Sequence, residues 1–282
     1  MQSIIIACIA VLTILGFHSL LAEPPRDPPK PTGMRAPRHG NVYVIAHRGA
    51  HDGIPENTLA AYRTAIDLEC DFVEIDVRTT LDGVLVSIHN ATIDAYTLDG
   101  TKGNVAEMTF ADLRKVDIGS RVGSHWSQER IPSVEEILQL CKGKIGVYLD
   151  VKQASIESLA TLVKENDCEL DTLWYISESK IEELKKHSSK SWPMPDPGPE
   201  KNLPALLKDY NPSVVASVWR HCSQQFVETC HLSNAIVLVD DHGPDTWKSL
   251  LEWKADGIQT DHPAKLIAHL KSLSGAPLSD QE

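Results

Sequence analysis

Short apolar runs alternate with amphipathic segments along most of this chain. The apolar runs are rich in β-branched residues and have no polar face, which is typical of strands buried on both sides of a parallel sheet. Strands are predicted at 42–46, 72–77, 84–88, 145–151, 172–176, 214–218, 235–239 and 257–260. Helices are predicted at 57–68 (with Asn57 as its N-cap), 110–116, 134–141, 155–166, 178–187, 224–230, 244–253 and 263–273.

The alternation of strands and helices predicts βαβ units and therefore an α/β fold with a parallel sheet. About eight strands in roughly 235 residues favour a closed TIM (β/α)8 barrel over an open doubly wound sheet. No G-x-G-x-x-G follows the first strand and no P-loop occurs, so the nucleotide-binding reasons for an open sheet are absent. Residues 90–130 are polar and glycine-containing, and they are predicted to form a small insertion after the third predicted strand. Residues 188–204 are predicted to be a Pro-rich surface loop.

The two ends of the chain are predicted to lie outside the barrel domain, which is assigned to residues 41–273. Residues 1–22 form an apolar run without charged side chains, and polar sequence follows Ala22. We predict a secretory signal peptide cleaved near Ala22, and hence a secreted or periplasmic protein without stable membrane insertion. An uncleaved membrane anchor is the alternative, since the run is just long enough to span a bilayer. Residues 23–40 are predicted to be a Pro-rich disordered spacer and residues 274–282 a disordered tail.

Composition narrows the classes of function. The chain has 282 residues and a formal net charge of −12, which argues against non-specific binding to nucleic acid. An anionic substrate would need a local cation and a few basic residues. Six cysteines occur without any C-x-x-C pair, so a structural zinc site is not indicated. Five of them remain after signal cleavage, an odd number, and most are predicted to be small core residues.

Polar residues able to do chemistry stand at or near the ends of the early predicted strands. They are His47 and Arg48 after the first strand, Glu74 and Asp76 in the second, His89 after the third, and Asp150 and Lys152 at the fourth. The active sites of TIM barrels are built at the C-terminal ends of the strands. This coincidence predicts an enzyme.

A pair of carboxylates predicts a metal site. Glu74 and Asp76 are two residues apart on a strand, so their side chains point to the same face, while the apolar residues between and beside them face the helices. Two carboxylates inside a barrel repel each other and need a cation; a solvent-exposed pair is the alternative. Oxygen ligands suit a divalent cation such as Mg²⁺ or Ca²⁺, and Asp150 is the predicted third ligand.

The remaining candidates would act on a phosphate group. His47 and His89 are predicted to be general acid and base, with a structural role for each as the alternative. Arg48 would hold phosphate oxygens in a fork and Lys152 would supply a point charge, unless both form surface ion pairs. Trp219, at the end of a later strand, is predicted to bind substrate at the mouth of the site, and a core role is the alternative.

These motifs resemble the glycerophosphodiester phosphodiesterase family over about residues 42–270. The resemblance is densest in HR (47–48), PENT (55–58), E-x-D-V (74–77), DG (82–83) and H (89), and it recurs in IPSVEEIL (131–138), YLDVK (148–152) and DGIQTDHP (256–263). It implies a TIM barrel with an insertion after the second His motif. It also implies that His47 and His89 are the catalytic pair, that Glu74 and Asp76 hold the metal, and that Arg48 and Lys152 hold the phosphate.

The implied reaction is metal-dependent hydrolysis of a glycerophosphodiester to glycerol 3-phosphate and an alcohol. The attacking oxygen belongs either to water or to the substrate's own glycerol hydroxyl. Asn90 stands where the family usually has Asp, and Asp150 where it usually has Glu, while residues 94–97 depart from the family's usual run. These departures leave a catalytically idle barrel that binds phosphorylated ligands as one alternative. A phospholipase D-like enzyme acting on intact lipids is another.

Overall fold

The computed structural model describes residues 31–273, so the predicted signal peptide (1–22) and tail (274–282) lie outside it. Its strands are β1 Tyr43–Ala46, β2 Phe72–Thr79, β3 Leu85–Ser87, β4 Gly146–Gln153, β5 Thr172–Tyr175, β6 Trp192–Met194, β7 Val214–Val218, β8 Ile236–Asp240 and β9 Gly257–Thr260. Its α-helices are α1 Leu59–Asp67, α2 Phe110–Leu113, α3 Val134–Cys141, α4 Ile156–Glu165, α5 Ile181–His187, α6 Leu203–Tyr210, α7 Gln224–Leu232, α8 Trp247–Glu252 and α9 Pro263–Leu273. Among these residues, no helix is long and apolar enough to cross a membrane.

The sheet is a nearly closed barrel of parallel strands in the order β6-β5-β4-β2-β1-β9-β8-β7. At the remaining seam, the backbone N–H of Ala216 in β7 donates to the carbonyl of Pro195, just beyond β6, over 3.0 Å. The helices surround this barrel, and their apolar faces pack on the outward side chains of the strands. The predicted TIM-barrel class is confirmed.

The strands that make up the barrel differ from the prediction in one place. The third predicted strand, β3, pairs antiparallel with β2 and stands outside the ring. The eighth barrel strand is β6, which lies in the segment predicted to be a Pro-rich loop, and α6 follows in a stretch where no helix was predicted. A three-residue strand that contains Pro193 gives neither alternation nor a β-branched run, so periodicity does not detect it.

The inside of the barrel changes from apolar to polar along each strand. The half of the interior nearer the N-terminal ends of the strands is filled by one apolar cluster. It consists of Tyr43, Ile45, Phe72, Tyr148, Leu173, Met194, Val214, Ala216, Ile236 and Leu238. Because side chains alternate along a strand, the next inward positions after Phe72 are Glu74 and Asp76, and those after Tyr148 are Asp150 and Lys152. The polar residues therefore collect at the C-terminal end of the barrel, above an apolar floor.

The insertion after β3 has an apolar core of its own. It consists of Val86, Ile88, Ile93, Tyr96, Val105, Leu113, Val116, Ile118 and Ile131. The segment returns to the barrel at α3, which begins with a capping box between Ser133 and Glu136. This small lobe stands beside the C-terminal end of β2, at the same end of the barrel as the polar residues.

The spacer prediction for residues 23–40 is wrong for the part that the structure describes. The backbone N–H of Arg38 donates to Asp71 over 2.8 Å, and the Tyr43 hydroxyl donates to the carbonyl of Arg35 over 2.6 Å. Met34 packs against the apolar cluster inside the barrel. These contacts close the N-terminal end of the barrel, where an open floor would expose apolar side chains to water.

All five cysteines among residues 31–273 are reduced and buried: Cys70, Cys141, Cys168, Cys222 and Cys230. Burial raises the pKa of the thiol at each of them, to about 12 for Cys70, Cys141 and Cys222. They are small core residues rather than thiolate ligands.

Candidate active site at the C-terminal end of the barrel

Three carboxylates converge where β2 and β4 run side by side. The register of the two strands sets Asp76 directly opposite Asp150, and Glu74 lies one inward position below Asp76. The side chains of Glu74 and Asp76 are only 2% and 1% exposed. One oxygen from each of Glu74, Asp76 and Asp150 lies within 4.8 Å of the other two. The predicted metal ligands therefore do come together.

Burial makes this cluster electrostatically costly. Burial first, and then the negative charge of Asp76, raise the pKa of Glu74 well above its usual value. The pKa of Asp150 is also raised by burial, against the lowering effect of Lys152. Carboxylates that are hard to ionise and that present several oxygens to one point fit a hard divalent cation, because a cation relieves both the repulsion and the desolvation.

Lys152 and Arg48 line the same cluster. The Lys152 ammonium lies 2.6 Å from Asp150 and 3.3 Å from Asp76. The Arg48 guanidinium lies 3.5 Å from Asp76 through Nε and 3.2 Å from Glu56 through Nη1. Both predicted phosphate-binding cations thus stand beside the carboxylates, where their charge reaches the polar end of the barrel.

A tight turn after β1 places Arg48. Its backbone has a positive φ of 53°, and its N–H donates to Glu74 Oε2 over 2.7 Å. The next residue, Gly49, has a φ of 85°, and a Cβ there would lie 2.7 Å from the Cβ of Ala61. Only glycine permits this close approach of the turn to α1.

Asn57 is part of the site rather than the predicted N-cap of α1. The cap is Thr58, whose side chain accepts from the N–H of Ala61. Asn57 is buried, has a positive φ of 54°, and donates to Asp76 Oδ2 over 2.8 Å. Its side-chain amide oxygen, Oδ1, accepts from the hydroxyls of Tyr62 and Ser87 over 2.9 and 2.8 Å. The amide holds Asp76 in place.

His47 is oriented by an acid that sequence reasoning missed. Its Nδ1 lies 2.7 Å from Asp261 Oδ1, and its Nε2 lies 4.0 Å from Glu74. Burial lowers the pKa of His47, but the hydrogen bond to Asp261 and the charge of Glu74 outweigh it and raise that pKa to about 9. His51 shares the same oxygen of Asp261 over 3.0 Å.

His89 lies on the other side of the cluster. Its Nδ1 is 3.0 Å from Asn90 Oδ1, and its carbonyl accepts from the Arg78 guanidinium over 3.0 and 2.7 Å. Its charge is among those that lower the pKa of Asp150, after the larger effects of burial and Lys152. Asn90, the departure from the family pattern, thus directly orients the ring of His89.

Trp219 makes its aromatic contact with another indole. It follows β7, and its indole stacks on Trp253 with ring centroids 5.2 Å apart and an angle of 6° between the rings. It packs against the cluster between barrel and helices. This contact agrees with the core role, and substrate binding by Trp219 stays a prediction without structural support.

The chain is similar in sequence to one family of known proteins. The sequence model described as the glycerophosphoryl diester phosphodiesterase family matches residues 47–265. A glycerophosphodiester phosphodiesterase of Caldanaerobacter subterraneus is 37% identical over 133 residues, which are 45% of this chain and 54% of that protein. Glycerophosphodiester phosphodiesterase 1 of Mus musculus is 35% identical over 152 residues, 52% of this chain and 44% of that protein. The chain spans about half the length of the curated relatives it matches.

Solved structures share the barrel. A phosphodiesterase of Oleispira antarctica, in complex with the product sn-glycerol-3-phosphate, superposes with a TM-score of 0.71. It is 23% identical, and the match covers 82% of this chain and 96% of that chain. At this identity the likeness concerns the fold alone.

Proposed function

Because the chain belongs to the glycerophosphoryl diester phosphodiesterase family, we propose that it hydrolyses glycerophosphodiesters to glycerol 3-phosphate and an alcohol. The observation that carries the proposal is the group of Glu74, Asp76 and Asp150, the first two of them buried. One oxygen from each lies within 4.8 Å of the other two, beside two cationic side chains. The relatives named above as glycerophosphodiester phosphodiesterases support the same substrate class.

In this proposal the three carboxylates hold a divalent cation, Mg²⁺ or Ca²⁺. Carboxylate oxygens are the preferred ligands of both ions, and the set contains no sulfur or imidazole. When bound, such an ion offsets the charge of a phosphate and favours charge that builds up on its oxygens. The cation would also lower the raised pKa of Glu74, which supports binding of the ion by the ionised side chain.

The protein's own side chains would handle the phosphate and the protons. Arg48 and Lys152 would bind phosphate oxygens, exchanging part of their contact with Asp76 for contact with substrate. His47 and His89, on the two flanks of the carboxylates, would act as general acid and base. With Nδ1 engaged by Asp261, His47 has Nε2 left for proton transfer.

The test is release of glycerol 3-phosphate from glycerophosphocholine and glycerophosphoethanolamine, with Mg²⁺, with Ca²⁺ or with a chelator. We expect chelation to abolish turnover and His47→Ala to lower kcat by about 10²–10⁴-fold, the range for loss of a general acid or base. His187→Ala, at the exposed end of α5, is the matched control and should keep wild-type turnover. Turnover that survives chelation or His47→Ala contradicts the mechanism.

Two further assays separate the alternatives. Faster product release from phospholipid vesicles than from soluble glycerophosphodiesters would favour the lipid-cleaving enzyme. Saturable binding of a glycerophosphodiester with no turnover under any metal condition would favour the idle barrel. A transient cyclic glycerophosphate would identify the substrate's glycerol hydroxyl as the attacking group, whereas direct formation of glycerol 3-phosphate would identify water.

A further inference from the structure

A second group of metal-ligand atoms stands at the rim of the same end of the barrel. It comprises His47, His51 and Asp261, with one ligand atom from each lying within 4.8 Å of the others. Asp261 Oδ1 is at the centre, 2.7 Å from His47 Nδ1 and 3.0 Å from His51 Nε2. The proposed function uses His47 from this group and gives no role to His51.

Two segments of the backbone bring these side chains together: the connection from β1 to α1 carries His47 and His51, and Asp261 directly follows β9. β1 and β9 are paired so that Ala46 is opposite Thr260, and the residues that follow them, His47 and Asp261, therefore leave the barrel side by side. The N–H of His47 donates to the carbonyl of Thr260 over 3.1 Å, which keeps the two strand ends paired. His51 is held in a turn in which its carbonyl accepts from the N–H of Ile54 over 3.1 Å. The geometry is set by the fold and not by one flexible loop.

The donor set differs in kind from that of the carboxylate cluster. Two imidazole nitrogens and one carboxylate oxygen suit Zn²⁺ and similar first-row transition metals, whereas the all-oxygen set suits Mg²⁺ or Ca²⁺. Three protein ligands leave a coordination position for water. The side chain of Asp261 is 54% exposed and that of His51 is 22% exposed, so an ion can enter from solvent.

We propose that His47, His51 and Asp261 form a second cation site, selective for Zn²⁺-like ions, whose occupation inhibits the enzyme. The ion replaces the protons that the two rings share with Asp261; each proton moves to the other ring nitrogen or to solvent. Bound at Nδ1, it prevents His47 from cycling between its protonated and neutral forms. The binding part stands on geometry alone, and the inhibition rests on the proposed catalytic role of His47.

Binding is tested with Co²⁺ as a spectroscopic probe, added to the full chain in an excess of Mg²⁺. We expect a visible absorption band of one bound Co²⁺ and at least a 10-fold loss of affinity in His51→Gln, since even loss of an outer partner of a metal site costs about 10–100-fold. Glutamine preserves an N–H that can donate to Asp261 but is a poor ligand. His187→Gln should bind as wild type does, and Zn²⁺ should displace the Co²⁺.

The same variants locate the ion. A band that is unchanged in His51→Gln and lost in Asp150→Asn would put the ion in the carboxylate cluster and overturn the proposal, as would the absence of any band in the wild type. In turnover assays with Mg²⁺, His51→Gln should keep the wild-type rate and resist Zn²⁺ at least 10-fold better. Should no substrate be turned over at all, the Co²⁺ spectra still decide the site, because they do not depend on activity.

Discussion

At the scale of single residues, Asn57 shows how much of the site depends on side chains that never touch a substrate. Its positive φ of 54° costs little for asparagine, and its amide joins Asp76 to the hydroxyls of Tyr62 and Ser87. Without this link, one oxygen of the buried Asp76 would lose its amide donor. The PENT motif therefore supplies a second layer of contacts behind the carboxylates.

Asn57→Ala should lower the free energy of unfolding by about 2–5 kcal/mol, because the change combines left-handed strain with the loss of buried hydrogen bonds. Asn211→Ala is the matched control, since Asn211 is exposed and also has a positive φ of 43°. It should cost only the strain, about 1–2 kcal/mol. Urea unfolding followed by circular dichroism measures both, and equal losses would contradict a role of the Asn57 amide in the network.

Asp261 sets the titration of His47. Its hydrogen bond is the main influence that offsets burial and raises the pKa of His47 to about 9. In Asp261→Asn that pKa should fall by about one unit or more, since an adjacent opposite charge shifts a pKa by roughly 1–3 units. Whether His47 acts as acid or base, its limb of the profile of kcat/KM against pH moves to lower pH. Glu252→Gln, an exposed change on α8, should leave the profile unmoved.

The sequence was enough to identify the candidate site residues at the strand ends, but not the side chains that orient them. Glu74 and Asp76 could be placed in the barrel because alternation along β2 decides which way each side chain points. Asp261 could not be assigned, because it meets His47 only through the pairing of the first and last strands, and the partner of His51 is Asp261. The available signal was that Asp261 directly follows β9, a strand that must lie beside β1 in any closed barrel.

At the scale of elements, the strand prediction from sequence fails where a strand is short or contains a residue that is rare in strands, such as proline. β6 is three residues long and contains Pro193, so the sequence suggested a loop, and β3 took its place in the count of eight. Long amphipathic elements such as α3 and α9 begin and end as predicted. Residues 192–194 form a strand because they pair with β5 to complete the barrel, and not because their sequence favours a strand.

The segment before β1 also acts as an element, since it caps the barrel floor. Asp71 is central to this cap: one carboxylate oxygen accepts from the N–H of Arg38 over 2.8 Å and the other from the N–H of Val44 over 2.8 Å. The cap stands before β2, at the opposite end of that strand from Asp76. We therefore expect stability and the proposed catalysis to be separable at the two ends of the barrel.

Asp71→Ala should lower the free energy of unfolding by about 2–3 kcal/mol, because a hydrogen bond to a charged group contributes about 1.5–3 kcal/mol and the buried N–H of Val44 loses its acceptor. Turnover measured well below the melting temperature should stay near wild type. Glu252→Ala, which removes an exposed ion pair with Lys248, should cost less than about 1 kcal/mol. A large loss of turnover in folded Asp71→Ala would show that the two ends are coupled.

At the scale of the whole molecule, barrel closure assembles a site from distant parts of the sequence. Residues near 47, 74, 89, 150 and 261 share one rim because β1 pairs with β2 and β9, and β2 pairs with β3 and β4. The same closure buries Glu74 and Asp76, and burial raises the pKa of Glu74. Folding stability and proton binding are consequently linked at this rim, and the proposed cation binding would be linked to both.

The link can be measured through Glu74. Burial and the charge of Asp76 raise its pKa in the folded state, so the folded state holds a proton that the unfolded state has released above the usual value of 4.5. Its contribution is therefore most favourable at and below that value, and stability falls as pH rises towards the folded pKa. With a chelator present, the melting temperature of the wild type should fall more than that of Glu74→Gln as the pH rises above 4.5.

Saturating Mg²⁺ or Ca²⁺ should restore the melting temperature of the wild type at neutral pH, because binding to the folded state adds stability. Equal pH dependence in both proteins, or no response of the wild type to either ion, would contradict a carboxylate site that holds a cation.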